Sequence, residues 1–437
     1  MRARRPPKRP RPPAAANAVE LRIERLGAHG DGIARHGERR VFVPLALPGE
    51  LVRATIEAET AEGSRARLLD IIEASPARIE PPCPHFGACG GCTLQHLDDA
   101  SYAAFKTARI TDALRQRGID DAPLEPLVRV APGSRRRVRL AAGRQGRTVA
   151  LGFRAARGRV IVDLNACPIM RPAIEATLPA LRAGLIDVLD DRAEVEIGIT
   201  EAANGLDVLL FGLDAGSAER QARLADLARA LGLARLSVRT DARRPAEPVM
   251  VQAQPIVRFA EIPVDLPPDC FIQPTAAGEA AMTAALLDAA SGAKRAADLY
   301  CGLGTFSLPL VSVGLRVDAY DSAGEAVAAL DAAARRAGLA DRLNAARRDL
   351  AWTPLEAAAL SGHDLVAFDP PRAGAARQAA EIAASRVPTV AAASCNPASF
   401  ARDARLLIDG GYRLKRLIPL DQFLWSPHIE LMATFMR

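Results

Sequence analysis

From Ala276 to the C-terminus the chain alternates helix and strand signals, and this leaves few folds open. The helical stretch "AGEAAMTAALLDAAS" leads into the strand "RAADLYC". Strands "RVDAYD", "LNAARRD", "DLVAFDP" and "VPTVAAAS" follow, with helical segments such as "AGEAVAALDAAARRAG" among them. A βα repeat of this kind builds a largely parallel sheet with helices on both faces. Ligands of such sheets lie outside the carboxyl ends of the strands. The first strand runs into "DLYCGLGTF", where Gly302 and Gly304 let the backbone turn tightly and approach a ligand. Ser307 stands where a dinucleotide fingerprint has its third glycine, which favours a mononucleoside-like ligand. Asp321 ends the second strand and suits ribose hydroxyls; Asp349 ends the third, within reach of an adenine. A lone G-x-G is as readily a structural turn. The ordered set of Gly302, Gly304, Asp321, Asp349 and Asp369 fits S-adenosylmethionine.

The fourth strand ends in "FDPPRAG", a rigid turn at Asp369. Enzymes that methylate exocyclic amines usually end a similar turn in an aromatic that stacks the base; Arg372 here argues against amine methylation and leaves carbon chemistry open. The fifth strand delivers Cys395, with Pro397 marking a helix start behind it. A helix N-terminus favours a thiolate. Lone cysteines are mostly small buried hydrophobes, but a strand end in a cofactor domain favours a reactive role. A thiolate beside a methyl donor suits carbon 5 of a pyrimidine, because addition at carbon 6 makes carbon 5 nucleophilic. A base must then remove the carbon-5 proton. The terminal "DQFLWSPHIELMATF" offers His428 and Glu430, two apart and on one face of a strand. An ordinary exposed strand pair has the same spacing.

The length of 437 residues calls for two to four domains. Residues 1–16 read as a disordered basic tail, 17–76 as a small β-barrel of short strands, 77–275 as a mixed α+β region, and 276–437 as the α/β domain. The net charge of +6 is uneven: the tail holds six basic residues, and Ala131 to Val160 holds nine arginines and no acid. The rest of the chain is therefore net negative, and a polyanion, most naturally RNA, is the expected partner. No apolar run is long enough to span a membrane, and a cytoplasmic monomer is expected. In that compartment clustered cysteines point to metal. Cys83, Cys89, Cys92 and the distant Cys167 supply four thiolates, which suit zinc or an iron–sulfur cluster equally. Cys270 and Cys301 read as packing residues.

Together these motifs mark a resemblance. "PPCPHFGACGGCTLQHL", "NACP", "FIQPT", "DLYCGLGTFSLPL", "FDPPRAG", "SCNPASFARD" and the terminal "HIE" resemble the bacterial RNA uracil-5-methyltransferases. The closest likeness is to their iron–sulfur, TRAM-domain branch, which acts on 23S ribosomal RNA. The resemblance implies an OB-like TRAM barrel, a central α+β domain with a [4Fe–4S] cluster, and a C-terminal Rossmann-like class I methyltransferase domain. It implies Cys395 as nucleophile and Glu430 as base. It implies that Gln273, Tyr300, Thr305, Asp321, Asp349 and Asp369 line the S-adenosylmethionine site, and that Cys83, Cys89, Cys92 and Cys167 hold the cluster. The chain departs from the family pattern at Tyr300, Thr305, Ser134 and Leu424-Trp425-Ser426. The expected activity is methylation of carbon 5 of a uridine in rRNA through a covalent adduct. Alternatives are a tRNA 5-methyluridine or an RNA cytosine-5 methyltransferase, or a catalytically silent RNA-binding or ribosome-assembly protein.

Overall fold

The computed structural model describes residues 18–437, so the tail expected over residues 1–16 lies outside the described residues. The described chain divides into two compact units, one of residues 18–80 and 93–101, the other of residues 81–92 and 102–437.

The first unit is a six-stranded sheet: β1 (Ala18–Arg22), β2 (Arg25–Leu26), β3 (Gly32–His36), β4 (Arg39–Val43), β5 (Leu51–Thr60) and β6 (Gly63–Glu73), in the order β1-β5-β6-β4-β3-β2. The alternation read in the sequence is the reason: Leu21, Val41, Val43, Val52 and Ala54 point inward as a common core. Three register shifts between β5 and β6 bend the long ribbon around that core. Glu50 is fully buried beneath it. Burial disfavours its charge, yet the Arg78 guanidinium at 2.6 Å and the Leu47 N–H at 2.8 Å outweigh that and hold its carboxyl below the usual range.

The second unit opens with the cysteine hairpin and the body of α1 (Asp99–Arg115), and then β7 (Val128–Arg129). Its middle part is a sheet of β8 (Arg137–Gln145), β9 (Thr148–Gly152), β10 (Glu194–Ala202), β11 (Gly205–Phe211), β12 (Arg235–Arg239) and β13 (Glu247–Val251), ordered β13-β12-β11-β10-β8-β9. Alternate residues Val138, Leu140, Val195, Ile197 and Ile199 form one core with Leu178, Leu181 and Leu185 of α2 (Pro172–Val188) and Leu224 of α3 (Ala218–Ala230). The hairpin of β14 (Ile256–Phe259) and β15 (Ile262–Asp265) leads into α4 (Ala276–Ala289). Val257, Phe259 and Val264 of this hairpin share a core with the C-terminal part, so that core begins before Ala276.

The expected βα repeat is there. Strands β16 (Arg295–Leu299), β17 (Arg316–Asp321), β18 (Leu343–Arg347), β19 (Leu365–Phe368) and β20 (Thr389–Ser394) are parallel. Helices α5 (Ser307–Ser312), α6 (Gly324–Arg336), α7 (Ala357–Leu360), α8 (Ala376–Ala384) and α9 (Pro397–Asp409) connect and cover them. β21 (Arg413–Asp421) and β22 (Glu430–Met436) complete the order β18-β17-β16-β19-β20-β22-β21-β7, with β22 antiparallel to both neighbours. Every residue of β19 and β20 is buried, which is why they read as continuous small apolar runs. The strand order reverses between β16 and β19, and a crevice at their carboxyl ends is the expected ligand site.

Candidate active site

The residues singled out from sequence converge on that crevice. After β16 the chain turns through Tyr300, Gly302 and Gly304 at φ of 68°, 52° and 93°. A Cβ on Gly302 would project into open space, whereas one on Gly304 would lie 2.4 Å from Leu330. Gly302 therefore leaves a cradle over the loop, and Gly304 allows the loop to pack on α6. Asp298, fully buried beneath, accepts a 2.5 Å bond from Ser307 Oγ, and its Oδ1 has no hydrogen-bond partner among the described residues. Burial pushes its carboxyl up to about 7. Ser307, the residue in place of the third glycine, thus fixes the aspartate that begins the motif.

Asp321 ends β17 and accepts the Gly302 N–H at 3.0 Å and the Ala323 N–H at 2.8 Å, so its carboxylate also shapes the glycine loop. Asp349 lies two residues past β18, where it accepts the Ala351 N–H at 3.0 Å in a tight turn. Tyr300 packs edge-on against Phe368, and burial raises its hydroxyl to about 12. Thr305 is half-buried in the turn before α5.

Asp369 follows β19 and is half-buried; burial, then the nearby Asp321, raises it to about 7. Gln273, 3% exposed, donates from Nε2 to Asp369 Oδ2 at 3.3 Å. The segment carrying Gln273 is fastened to the arginine run: Arg136 N–H donates to the Pro274 carbonyl, its Nε to the Gln273 carbonyl at 3.0 Å, and its Nη2 to Glu279 at 2.5 Å. Several other arginines of the run are engaged within the fold, Arg137 and Arg139 with Asp269 and Arg154 with Glu194. The run is thus partly scaffold, not a uniform basic stripe.

Cys395 lies between β20 and α9. Asn396 caps α9, accepting the Ala398 N–H at 3.1 Å, and donates from Nδ2 to the Arg372 carbonyl at 3.0 Å. This ties the cysteine turn to the Asp369-Pro370-Pro371 turn. The pairing of Ser394 with Leu431 continues to set Cys395 across from Glu430. Burial, reinforced by Glu430 and Asp369, pushes the Cys395 thiol up to about 11. The helix terminus was expected to favour the thiolate; two carboxyl groups and a half-buried setting outweigh it. Glu430 is 4% exposed, and burial with the adjacent Asp369 raises its carboxyl well above the usual range. His428 lies in the loop before β22, its ring edge-on to Phe423.

Two features were missed in the sequence. Gln422, at the end of β21, donates from Nε2 to Gln273 Oε1 at 2.8 Å and to Glu430 Oε2 at 3.1 Å. Second, the loop from Asp421 to Glu430 is anchored by α1. Lys106 and Asp421, both fully buried, meet at 2.7 Å, and Tyr102 donates its hydroxyl to Asp421 at 2.7 Å while accepting the Trp425 N–H. Lys106 also donates to the carbonyls of Phe423 and His428. Burial lowers its ammonium to about 8 in spite of Asp421, while these carbonyls and the carboxylate keep it satisfied. A buried lysine inside an amphipathic helix is the only trace of this in sequence.

The cysteine hairpin docks on the segment leading to Cys167. Gly90 N–H donates to the Arg154 carbonyl at 3.0 Å, Cys89 bridges Ala155, and Asn165 N–H donates to His85 Nε2 at 3.0 Å. Burial pushes the Cys167 thiol up to about 11, and Cys83 and Cys89 add to this, so these three sulfurs share one neighbourhood. Cys92 and Cys167 both act on the half-buried Arg135. Among the described residues no three Cys, His, Asp or Glu side chains close into a metal-binding group. Cys301 is buried and Cys270 is half-buried, and burial raises both thiols. Among the described residues no helix is long and apolar enough to cross a membrane.

Comparison with known proteins matches this layout. Residues 249–436 match the tRNA (Uracil-5-)-methyltransferase family and residues 17–69 the TRAM domain. An RNA methyltransferase of Caulobacter vibrioides, otherwise uncharacterized, is 40% identical over 96% of this chain and 100% of its own. The 23S rRNA (uracil(1939)-C(5))-methyltransferase RlmD of Edwardsiella ictaluri is 34% identical over 94% of each chain. Among solved structures, the Pyrococcus abyssi tRNA (uracil-54, C5)-methyltransferase in complex with S-adenosyl-L-homocysteine aligns with a TM-score of 0.76. It covers 95% of this chain and 99% of its own at 21% identity, which establishes a shared fold.

Proposed function

We propose that this chain, which belongs to the TRAM-bearing RNA uracil-5-methyltransferases, methylates carbon 5 of a uridine in 23S rRNA through a covalent Cys395 adduct. The observation that carries the reading is the meeting of Cys395 and Glu430 across the β20–β22 register, beside Asp369 at the switch point. The relative that shares 34% of its residues over nearly the whole chain is named for 23S rRNA, which favours that substrate over tRNA.

The residues present fit S-adenosylmethionine. The Gly302 cradle, Asp321 and Asp349 suit its nucleoside, and Gln273 and Asp369 suit its amino-acid end. When bound, it supplies an electrophilic methyl group. The chain's own residues do the rest. Cys395 gives its proton to solvent and its sulfur bonds to carbon 6 of the uracil, moving the carbon 5–carbon 6 double-bond pair onto carbon 5 and its adjoining carbonyl. After carbon 5 is methylated, Glu430 accepts the carbon-5 proton. The C–H pair becomes the restored carbon 5–carbon 6 double bond, and the carbon 6–sulfur pair returns to Cys395. A uridine must leave its stack to enter a crevice of this kind. The barrel and the exposed arginines would hold the flanking backbone.

Four thiols whose hairpin is already docked beside Cys167 fit a soft, thiolate-ligated centre, and the reading includes a [4Fe–4S] cluster on Cys83, Cys89, Cys92 and Cys167. Closing the ligand shell requires the hairpin side chains to turn inward. The cluster would fasten hairpin to strand and carry no step of methyl transfer. The enzyme is taken to act in the cytoplasm as a monomer.

The decisive experiment is nucleoside mapping of rRNA and tRNA from a deletion strain. Loss of one 5-methyluridine from 23S rRNA is expected. Loss from tRNA with rRNA unchanged would reassign the substrate, and no loss from either would remove the activity.

A further inference from the structure

The side chain of Gln422 is 1% exposed and bridges the two halves of the site. Its Nε2 faces two oxygens, Gln273 Oε1 at 2.8 Å and Glu430 Oε2 at 3.1 Å. Gln273 is itself oriented, because its Nε2 donates to Asp369. The amide of Gln422 is thereby fixed in one orientation: turned over, it would set oxygen against oxygen. Its Oε1 is buried without a hydrogen-bond partner among the described residues and rests against α4 at Gly278. A Cβ at Gly278 would stand 2.5 Å from that oxygen and 2.8 Å from Thr275 Oγ1, so only glycine leaves room for the amide.

We propose that Gln422 is a positioning residue for the base: by occupying Oε2 of Glu430 it presents Oε1 as the oxygen that takes the carbon-5 proton. This deepens the role given to Glu430 and rests on that reading. A buried unpartnered acceptor is normally costly. Keeping one here has a cause, since the opposite orientation would leave Glu430 without a donor. Among the described residues the Gln422 amide makes the hydrogen bond to the Glu430 carboxyl. The titratable groups facing Glu430 are Asp369 from the β19 turn and Cys395 from the β20 end, and Asp369 opposes its charge. The α4 side presents Met282 and Gly278, neither charged. Gln422 is thus the neighbour that favours the ionised base. Its donor also selects the oxygen, since a proton on Oε2 would meet the amide hydrogen.

The test uses the full-length enzyme with Gln422→Met, which keeps the length and removes the donor. Gly278→Ala serves as an independent displacement of the same amide. Two substrates separate the steps. Uridine RNA requires proton removal for release. 5-Fluorouridine RNA stalls as a covalent adduct, because fluorine at carbon 5 cannot leave as a cation. We expect kcat on uridine RNA to fall by at least about tenfold. The acid limb of its pH profile should move up by about one to two pH units. KM for RNA should hold, and both variants should trap the fluorinated RNA at the wild-type rate. An unshifted acid limb in a variant, or trapping and turnover reduced in equal measure, overturns the role of Gln422. A wild-type protein that traps no fluorinated RNA overturns the reading of Cys395 itself, on which this role stands.

Discussion

At the residue scale, reactivity at the crevice is governed by burial working against charge. Cys395 and Glu430 are both pushed upward by burial and by Asp369, and Glu430 makes Cys395 harder still to ionise. On the proposed mechanism, turnover needs the thiol deprotonated at the start and the carboxylate ionised at the end. Both requirements strengthen as pH rises, so kcat is expected to climb from about pH 6 to about pH 9, as measured by methyl incorporation into RNA. Glu430→Gln should lower turnover by roughly 10²–10⁴-fold and accumulate the methylated adduct on uridine RNA, visible as a protein–RNA band on a denaturing gel. Cys395→Ala should give no band at all. Asp298 and Asp369 carry a stability consequence of the same origin. Their folded values of about 7 lie above the ordinary 3.8, so the unfolded chain ionises first as pH rises. Stability of the ligand-free protein is full below about pH 4 as far as these groups are concerned, and is lost progressively up to about pH 7. Asp298→Asn should flatten that slope in thermal melts across the window.

At the scale of elements, strand ends and their loops form the candidate site, and they were legible to different degrees. The β-strands of the C-terminal sheet could be read because fully buried parallel strands are runs of small apolar residues, and because glycine and aspartate punctuate their ends. Cys395 and Asp369 followed from that pattern. Gln422 did not, since a glutamine beside an aspartate at a strand end reads as solvent-facing until the packing of α4 over it is known. The anchoring of the base loop was equally hidden: Lys106 and Asp421 are far apart in sequence, and nothing local to either marks a partner. Lys106→Met leaves Asp421 charged and buried, and should cost about 3–5 kcal/mol in denaturant unfolding. Lys106→Met with Asp421→Leu should recover much of that loss. Activity should stay low in both, because the loop carrying Glu430 would no longer be held at its carbonyls.

At the scale of the whole molecule, the uneven charge of the sequence was a sound guide to the class of partner but a poor one to the surface that meets it. Arg136, Arg137 and Arg139 are spent on holding β8 to the segment from Asp269 to Glu279. Sequence could not separate such internal cations from exposed ones, because pairing is decided by strands brought together later. RNA affinity should still fall linearly in log–log plots against salt. Removing residues 1–17 should reduce the slope by at most about five, measured by filter binding. The cysteine spacing pointed to metal and left its identity open, and iron and sulfide analysis of anaerobically purified protein decides it. Cys83→Ala should be colourless where the parent is brown. The C-terminal sheet, finally, ends on a borrowed strand: β7, from residues 128–129, closes the edge of β21, and β14 and β15 fill the core beside α4. Cut at the apparent boundary before Ala276, this half would keep every reacting group and lose the cover of its sheet edge, a ready template for self-pairing. It is not a portable cassette. Shuffling or duplication of such a gene would have to carry the middle region along, and the ancestry of the two parts is expected to be read as one lineage.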